Sequence, residues 1–121
     1  MRDDKENIIV KVTFEFALMI VEFTEILEAK NKLVIAKQIL KSGTSIGANV
    51  REAQNAESKT DFIHKLKIAA KAAEETAYWL LICQHSKNYP ICDKEIEKIN
   101  EIIKILSKII ATSKAKTFNN N

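Results

Sequence analysis

The stretch SGTSIGANVREAQNAESKTDFIHKLKIAAKAAEETAYW, Ser42 to Trp79, decides the fold. It holds both glycines of the chain, an asparagine close to an apolar face, a helix-start signal and a long amphipathic segment. From Ser58 onward, Phe62, Leu66, Ala69, Ala70, Ala73, Ala77, Leu80 and Leu81 recur at the three- and four-residue spacing of one helical face. The alanines keep that face thin, so a neighbouring helix can pack closely. Ser58 reads as the N-cap, with Asp61 three residues on as a capping-box-like partner. Lys71 and Glu75, one turn apart, are placed to pair, an interaction worth about 0.2–0.5 kcal/mol.

The preceding half reads as a second face: Leu33, Ala36, Ile39, Leu40, Gly43, Ile46, Gly47, Val50 and Ala53. Each glycine costs about 1 kcal/mol against alanine inside a helix. Gly43 and Gly47, four residues apart, therefore imply close approach of another helix backbone. The alternative is a break at Ser42–Gly43–Thr44, with Thr44 or Ser45 capping a second short helix. The spacing favours one continuous helix.

Working outward, Val12, Phe16, Met19, Ile20, Phe23, Ile26 and Leu27 form a helical row that outlasts a short alternating pattern at Val10–Phe16. Asn7 is placed to cap it. Towards the C-terminus, Pro90 marks a connection, and Cys92 or Asp93 can cap a final helix. Its face is Ile96, Ile99, Ile102, Ile103, Leu106, Ile109 and Ile110. Helices are expected at about 8–30, 32–56, 59–87 and 93–112, in one domain covering residues 1–121. The tail 113–121 has no apolar period and is expected to be disordered. Four amphipathic helices with short connections define an all-α, antiparallel up-down-up-down four-helix bundle.

Composition agrees. Two glycines and one proline in 121 residues leave too few turn residues for an all-β protein. Apolar residues at 46% and charged residues at 29% match a helix-rich folded chain rather than a disordered one. The acidic start MRDDKEN is unlike a secretory leader, and no apolar run is long enough to cross a membrane. A cytoplasmic protein with reduced Cys83 and Cys92 is expected.

Charge is unevenly spread. Residues 1–28 carry three basic and seven acidic side chains, a net of −4. Residues 29–71 carry nine and three (+6), residues 72–103 three and six (−3), and residues 104–121 four and none (+4). The second and fourth segments are the candidate electropositive surfaces.

The residues that carry chemistry elsewhere do not assemble here. The glycines fit no phosphate-cradling loop. Cys83, His85 and Cys92 fall short of the four closely spaced ligands of a structural zinc site, so no metal and no cofactor is expected. His64 lacks an oriented proton partner, and no nucleophile with its base can be argued, so no catalytic residue is named. Asn49 and Glu74 lie close to apolar faces and are expected to meet partners across the interface between the second and third helices, fixing its register. The alternative is that both point into solvent. Lys37, Lys41, Arg51, Lys67 and Lys71 are the nucleic-acid-binding candidates, suited to phosphates rather than bases because no aromatics interleave with them. The alternative is a solvated helix face.

The stretch from Lys41 to Leu80 resembles the small four-helix-bundle family named for proteins encoded in intervening sequences of bacterial 23S ribosomal RNA. The resemblance runs through Ser45, Ile46, Asn49, Glu52, Ser58, Phe62, Ala69, Glu75 and Leu80. Ser42, Gly43, Thr44, Tyr78, Trp79 and Leu80 match one branch of that family. The resemblance implies a bundle without catalytic residues, assembly into a homopentameric barrel, and a role near RNA. It is also similar to a related branch, the accessory proteins of diversity-generating retroelements, and that similarity implies nucleic acid and a reverse transcriptase as partners of a basic surface. Two departures stand out. Leu40 and Lys41 replace an arginine pair common in the family, and Ala53 stands where many members have glycine.

Overall fold

The computed structural model describes residues 7–119, and the side chains of residues 7–116. It contains four helices: α1 (Ile8–Ala29), α2 (Leu33–Gln54), α3 (Lys59–His85) and α4 (Asp93–Asn119). There is no strand among the described residues. Packing joins α1 to α2, α2 to α3 and α3 to α4, and a slighter contact between α1 and α4 closes the square. This is the all-α four-helix bundle.

The helix ends follow local chemistry. Asn31 adopts the left-handed conformation with φ 65°. Its N–H donates to the Glu28 carbonyl at 2.9 Å, and the Lys32 N–H reaches back to the Leu27 carbonyl at 2.9 Å. That pair of bonds is a Schellman ending, with asparagine in the seat usually held by glycine. Ser58 caps α3 as expected, its oxygen accepting from the Asp61 N–H at 3.0 Å. Asn7 stands at the start of α1, but its side chain makes no capping bond; its backbone carbonyl accepts from Val10 at 3.0 Å.

The core is built from Phe16, Ile20 and Leu27 of α1, Ile39, Ile46 and Val50 of α2, Leu66 and Leu80 of α3, and Ile99, Ile102 and Leu106 of α4. The expected faces are rotated slightly at their edges. Leu33, Leu40, Ile26 and Leu81 stand exposed, whereas Ser42, Thr76 and Cys83 are buried. A face is centred on its best-buried row, so a bulky residue one position off the row lies at the rim and a small polar one can lie on it.

α2 runs unbroken through both glycines. A Cβ on Gly43 would lie 2.9 Å from Cγ2 of Ile20, and one on Gly47 would lie 3.4 Å from the backbone oxygen of Thr13. The close approach is real, but its partner is α1.

α4 is longer than expected. The helix continues over 113–119, which corrects the expectation of a disordered tail for that part. The segment contains no glycine or proline, and its alanine and lysines are good helix formers, so nothing stops propagation from the anchored turn before it. Residues 120 and 121 lie outside the described residues.

Candidate nucleic-acid interface

All five basic candidates are exposed, and they are divided between α2 and α3. Lys37 and Lys41 sit one turn apart on α2, on the side opposite its buried row. Arg51 turns towards α1, its guanidinium 5.6 Å from the ring centre of Phe14. Lys67 and Lys71 stand one turn apart on α3. Two other lysines are taken by ion pairs: Lys65 with Glu52 at 3.1 Å and Lys98 with Glu15 at 3.2 Å. Lys37, Lys41, Lys67 and Lys71 have no carboxylate partner among the described residues.

A residue missed from sequence joins them. The neighbouring Lys67 side chain of α3 holds Lys114 of α4 below the usual lysine range. Lys114 was hidden because it falls in the segment expected to be irregular.

The two structural polar candidates behave differently from expectation. The Asn49 amide donates to the Ser45 carbonyl at 2.9 Å and to the Ser45 hydroxyl at 3.1 Å. Its partners therefore lie in its own helix, not across an interface. Glu74 is exposed and has no protein partner among the described residues. It stands on the rim of an open groove of about 290 Å³ between α3 and α4, beside Tyr78, Leu81 and Asn100. The polar contact that crosses between α2 and α3 inside the core is Thr76 to Ser42, hydroxyl to hydroxyl at 2.8 Å. Side chains as short as these are buried because each finds the other; a longer carboxylate reaches water instead. Nor does Glu75 pair with Lys71: its carboxylate accepts from the Trp79 indole N–H at 3.1 Å.

Cys83 and Cys92 are free and buried, each 1% exposed. The Cys92 sulfur lies 3.5 Å from the Leu80 carbonyl oxygen. Burial pushes both thiols up to about 11, with the nearby Cys83, Glu95 and Asp93 adding to the effect at Cys92. These are packed thiols, not nucleophiles. No group of three or more potential ligands among the described residues could hold a metal ion. His64 and His85 are exposed. No described helix is long and apolar enough to cross a membrane.

A helical bundle with these termini and this central motif defines a class. The model of the 23S rRNA-intervening sequence protein family matches residues 5–112, and the chain belongs to that family. It is also similar to a crystal structure from Bacteroides thetaiotaomicron, described as a protein of unknown function from the S23 ribosomal protein family. The two are 42% identical with a TM-score of 0.81, over 85% of this chain and 98% of that one. No curated protein matches the chain.

The residues that carry the family resemblance have structural duties. Ser45 and Asn49 bond each other, Glu52 ties α2 to Lys65 of α3, Ser58 caps α3, and Ile46, Phe62, Ala69 and Leu80 are core. Glu75 holds the Trp79 indole. Ala53 is buried and helical.

Proposed function

We propose that this protein is a non-enzymatic, self-associating cytoplasmic bundle that binds the phosphate backbone of RNA or DNA. The observation that carries the reading is the set of exposed lysines on α2 and α3 without carboxylate partners: Lys37, Lys41, Lys67 and Lys71. Cations left unneutralised on rigid helices are suited to phosphates, and the gain on binding comes from counterion release. The name of the family, with its link to 23S rRNA, is in keeping with such a partner.

Self-association is supported by Phe14, Leu18 and Val21, a row on α1 at helical spacing that is 50%, 51% and 41% exposed. An apolar row of this kind favours contact with protein rather than water. Assembly into a pentamer is the form the family resemblance suggests. The same row also supports a second reading, a structural or protein-partner scaffold without a nucleic-acid role.

Fluorescence anisotropy of labelled single-stranded RNA across a salt series separates the two. Backbone binding predicts affinity that falls steeply with salt, and a flatter dependence after Lys37, Lys41, Lys67 and Lys71 are replaced with glutamine. Undetectable RNA and DNA binding at low salt rejects the first reading. Light-scattering mass tests the assembly; a monomer at micromolar concentration rejects it.

A further inference from the structure

Helix α1 is apolar on two sides. Phe16, Ile20, Phe23 and Leu27 fill the core, yet Phe14, Leu18 and Val21 form a second row that faces water. A helix that is apolar all round is normally covered all round. Both α2 and α4 pack on α1, and neither covers this row. Lys11 extends it at one end, Glu25 and Glu28 at the other, and all six residues are exposed. They follow one another at steps of three and four residues in turn, the spacing of a seam along which two helices pack side by side. From Lys11 to Glu28 the seam is about 26 Å long.

The order of residues along the seam decides what fits it. A cation opens it, three apolar residues fill its middle and two carboxylates close it. Laid against a second copy in the opposite direction, it sets Lys11 against Glu28 of the partner subunit and Leu18 against Val21 of the partner subunit. Phe14 then faces Glu25 of the partner subunit, and Arg51 makes that match a favourable one. The Arg51 guanidinium lies 5.6 Å from the centre of the Phe14 ring and has no carboxylate partner among the described residues. Two-fold symmetry repeats every pair. Laid in the same direction, the two seams would bring lysine to lysine and carboxylate to carboxylate, which repel. The carboxylates also turn a nucleic-acid backbone away from this face.

We propose that the outer seam of α1 is the docking surface for a second copy of this chain, paired antiparallel across a two-fold axis with Leu18 against Val21 of the partner subunit. The inference rests on the self-association reading above and names the face, the direction and the register of the contact. A contact of this kind uses the same patch on both copies and is complete at two, whereas a ring of five needs head-to-tail contacts. The pair is therefore distinct from the pentamer that the family resemblance suggests.

The test uses the full chain, with circular dichroism to check that each variant is folded. Sedimentation equilibrium is expected to show a two-copy species that Leu18→Lys abolishes. Lys11→Glu and Glu28→Lys should each weaken the pair at least about fivefold, because two exposed ion pairs become repulsive. The double variant Lys11→Glu/Glu28→Lys should restore it, since the charges then match again. Direction is read by disulfide formation under mild oxidation, the native Cys83 and Cys92 being buried. A mixture of Lys11→Cys and Glu28→Cys chains should join as a mixed dimer. Lys11→Cys chains alone should not join, because antiparallel packing holds the two positions about 26 Å apart. Joining of Lys11→Cys chains to one another would overturn the antiparallel pair. An assembly of any size that Leu18→Lys leaves intact would overturn the α1 surface and leave self-association standing through another face. A monomer throughout would reject the pair and the self-association reading together.

Discussion

The hydroxyls of Thr76 and Ser42 meet at 2.8 Å inside the core, joining α3 to α2 by side-chain oxygens that water does not reach. The Thr76 oxygen also lies 2.8 Å from the Ala72 carbonyl oxygen. One proton cannot serve both acceptors fully, so the Ser42 hydroxyl can supply the second bond. The pair is therefore a small satisfied polar unit within an apolar layer, and its members depend on each other.

That dependence predicts strong coupling. Thr76→Val strands the Ser42 hydroxyl and should cost about 1–3 kcal/mol of stability, the range for an unsatisfied buried group. Ser42→Ala should cost less, about 0.5–1.5 kcal/mol, because Thr76 keeps the Ala72 carbonyl as a partner. The double variant should lose clearly less than the two losses added together. Urea unfolding of the four proteins measures this; simple additivity would mean that the hydroxyls do not support each other.

The two glycines of α2 should respond in opposite directions to alanine. Gly43→Ala places a methyl 2.9 Å from Cγ2 and 3.0 Å from Cγ1 of Ile20, a side chain that is fully buried and has little room to yield. Overpacking of this kind costs about 1–3 kcal/mol, more than the helix-propensity gain of about 1 kcal/mol. Gly47→Ala meets the Thr13 oxygens at 3.4 Å, a tight but tolerable contact. There the propensity gain should prevail, with a net change of up to about +1 kcal/mol. Thermal melts of both variants decide it: equal shifts would contradict the asymmetry.

The two buried thiols make the fold sensitive to alkali. Their ordinary value of 9.0 is raised to about 11 in the folded chain, mainly by burial. Between these values the unfolded chain has released protons that the folded chain still holds. The unfolded state then binds fewer protons, so stability falls as pH rises from about 9 towards 11. Urea unfolding at pH 8 and pH 10 should show the loss. Iodoacetamide at pH 8 should label the native protein at least about a hundredfold more slowly than the unfolded one, from the thiolate fraction alone. Rapid labelling of the native chain would contradict the burial.

Much of this architecture was legible in the residues. The glycine-containing α2, the Ser58 cap and the isoleucine row of α4 all use signals that depend on neighbours in the chain. What escaped depends on neighbours across the bundle. Ser42 and Thr76 look polar one at a time and become core only as a pair. Asn49 stood close to an apolar row, but the nearer Ser45 satisfied its amide first. The partner of the glycines could not be told from spacing alone, because a small residue announces an approach without naming what approaches. Lys114 was missed for another reason: a helix that is already nucleated needs no apolar stripe to run another turn or two. The motif shared with the family proved to be a description of the scaffold. The candidate interface therefore lies in lysines outside that motif.

The slight contact between α1 and α4 gives the square of helices one weak side. Glu15 and Lys98 fasten that side with an ion pair at 3.2 Å, the two charges coming from opposite halves of the chain. A surface clasp of this kind loosens as ions crowd around it. Brine should thus part the outer rods first, like a book falling open at its thinnest binding, while α2 and α3 stay shut around their shared oxygens.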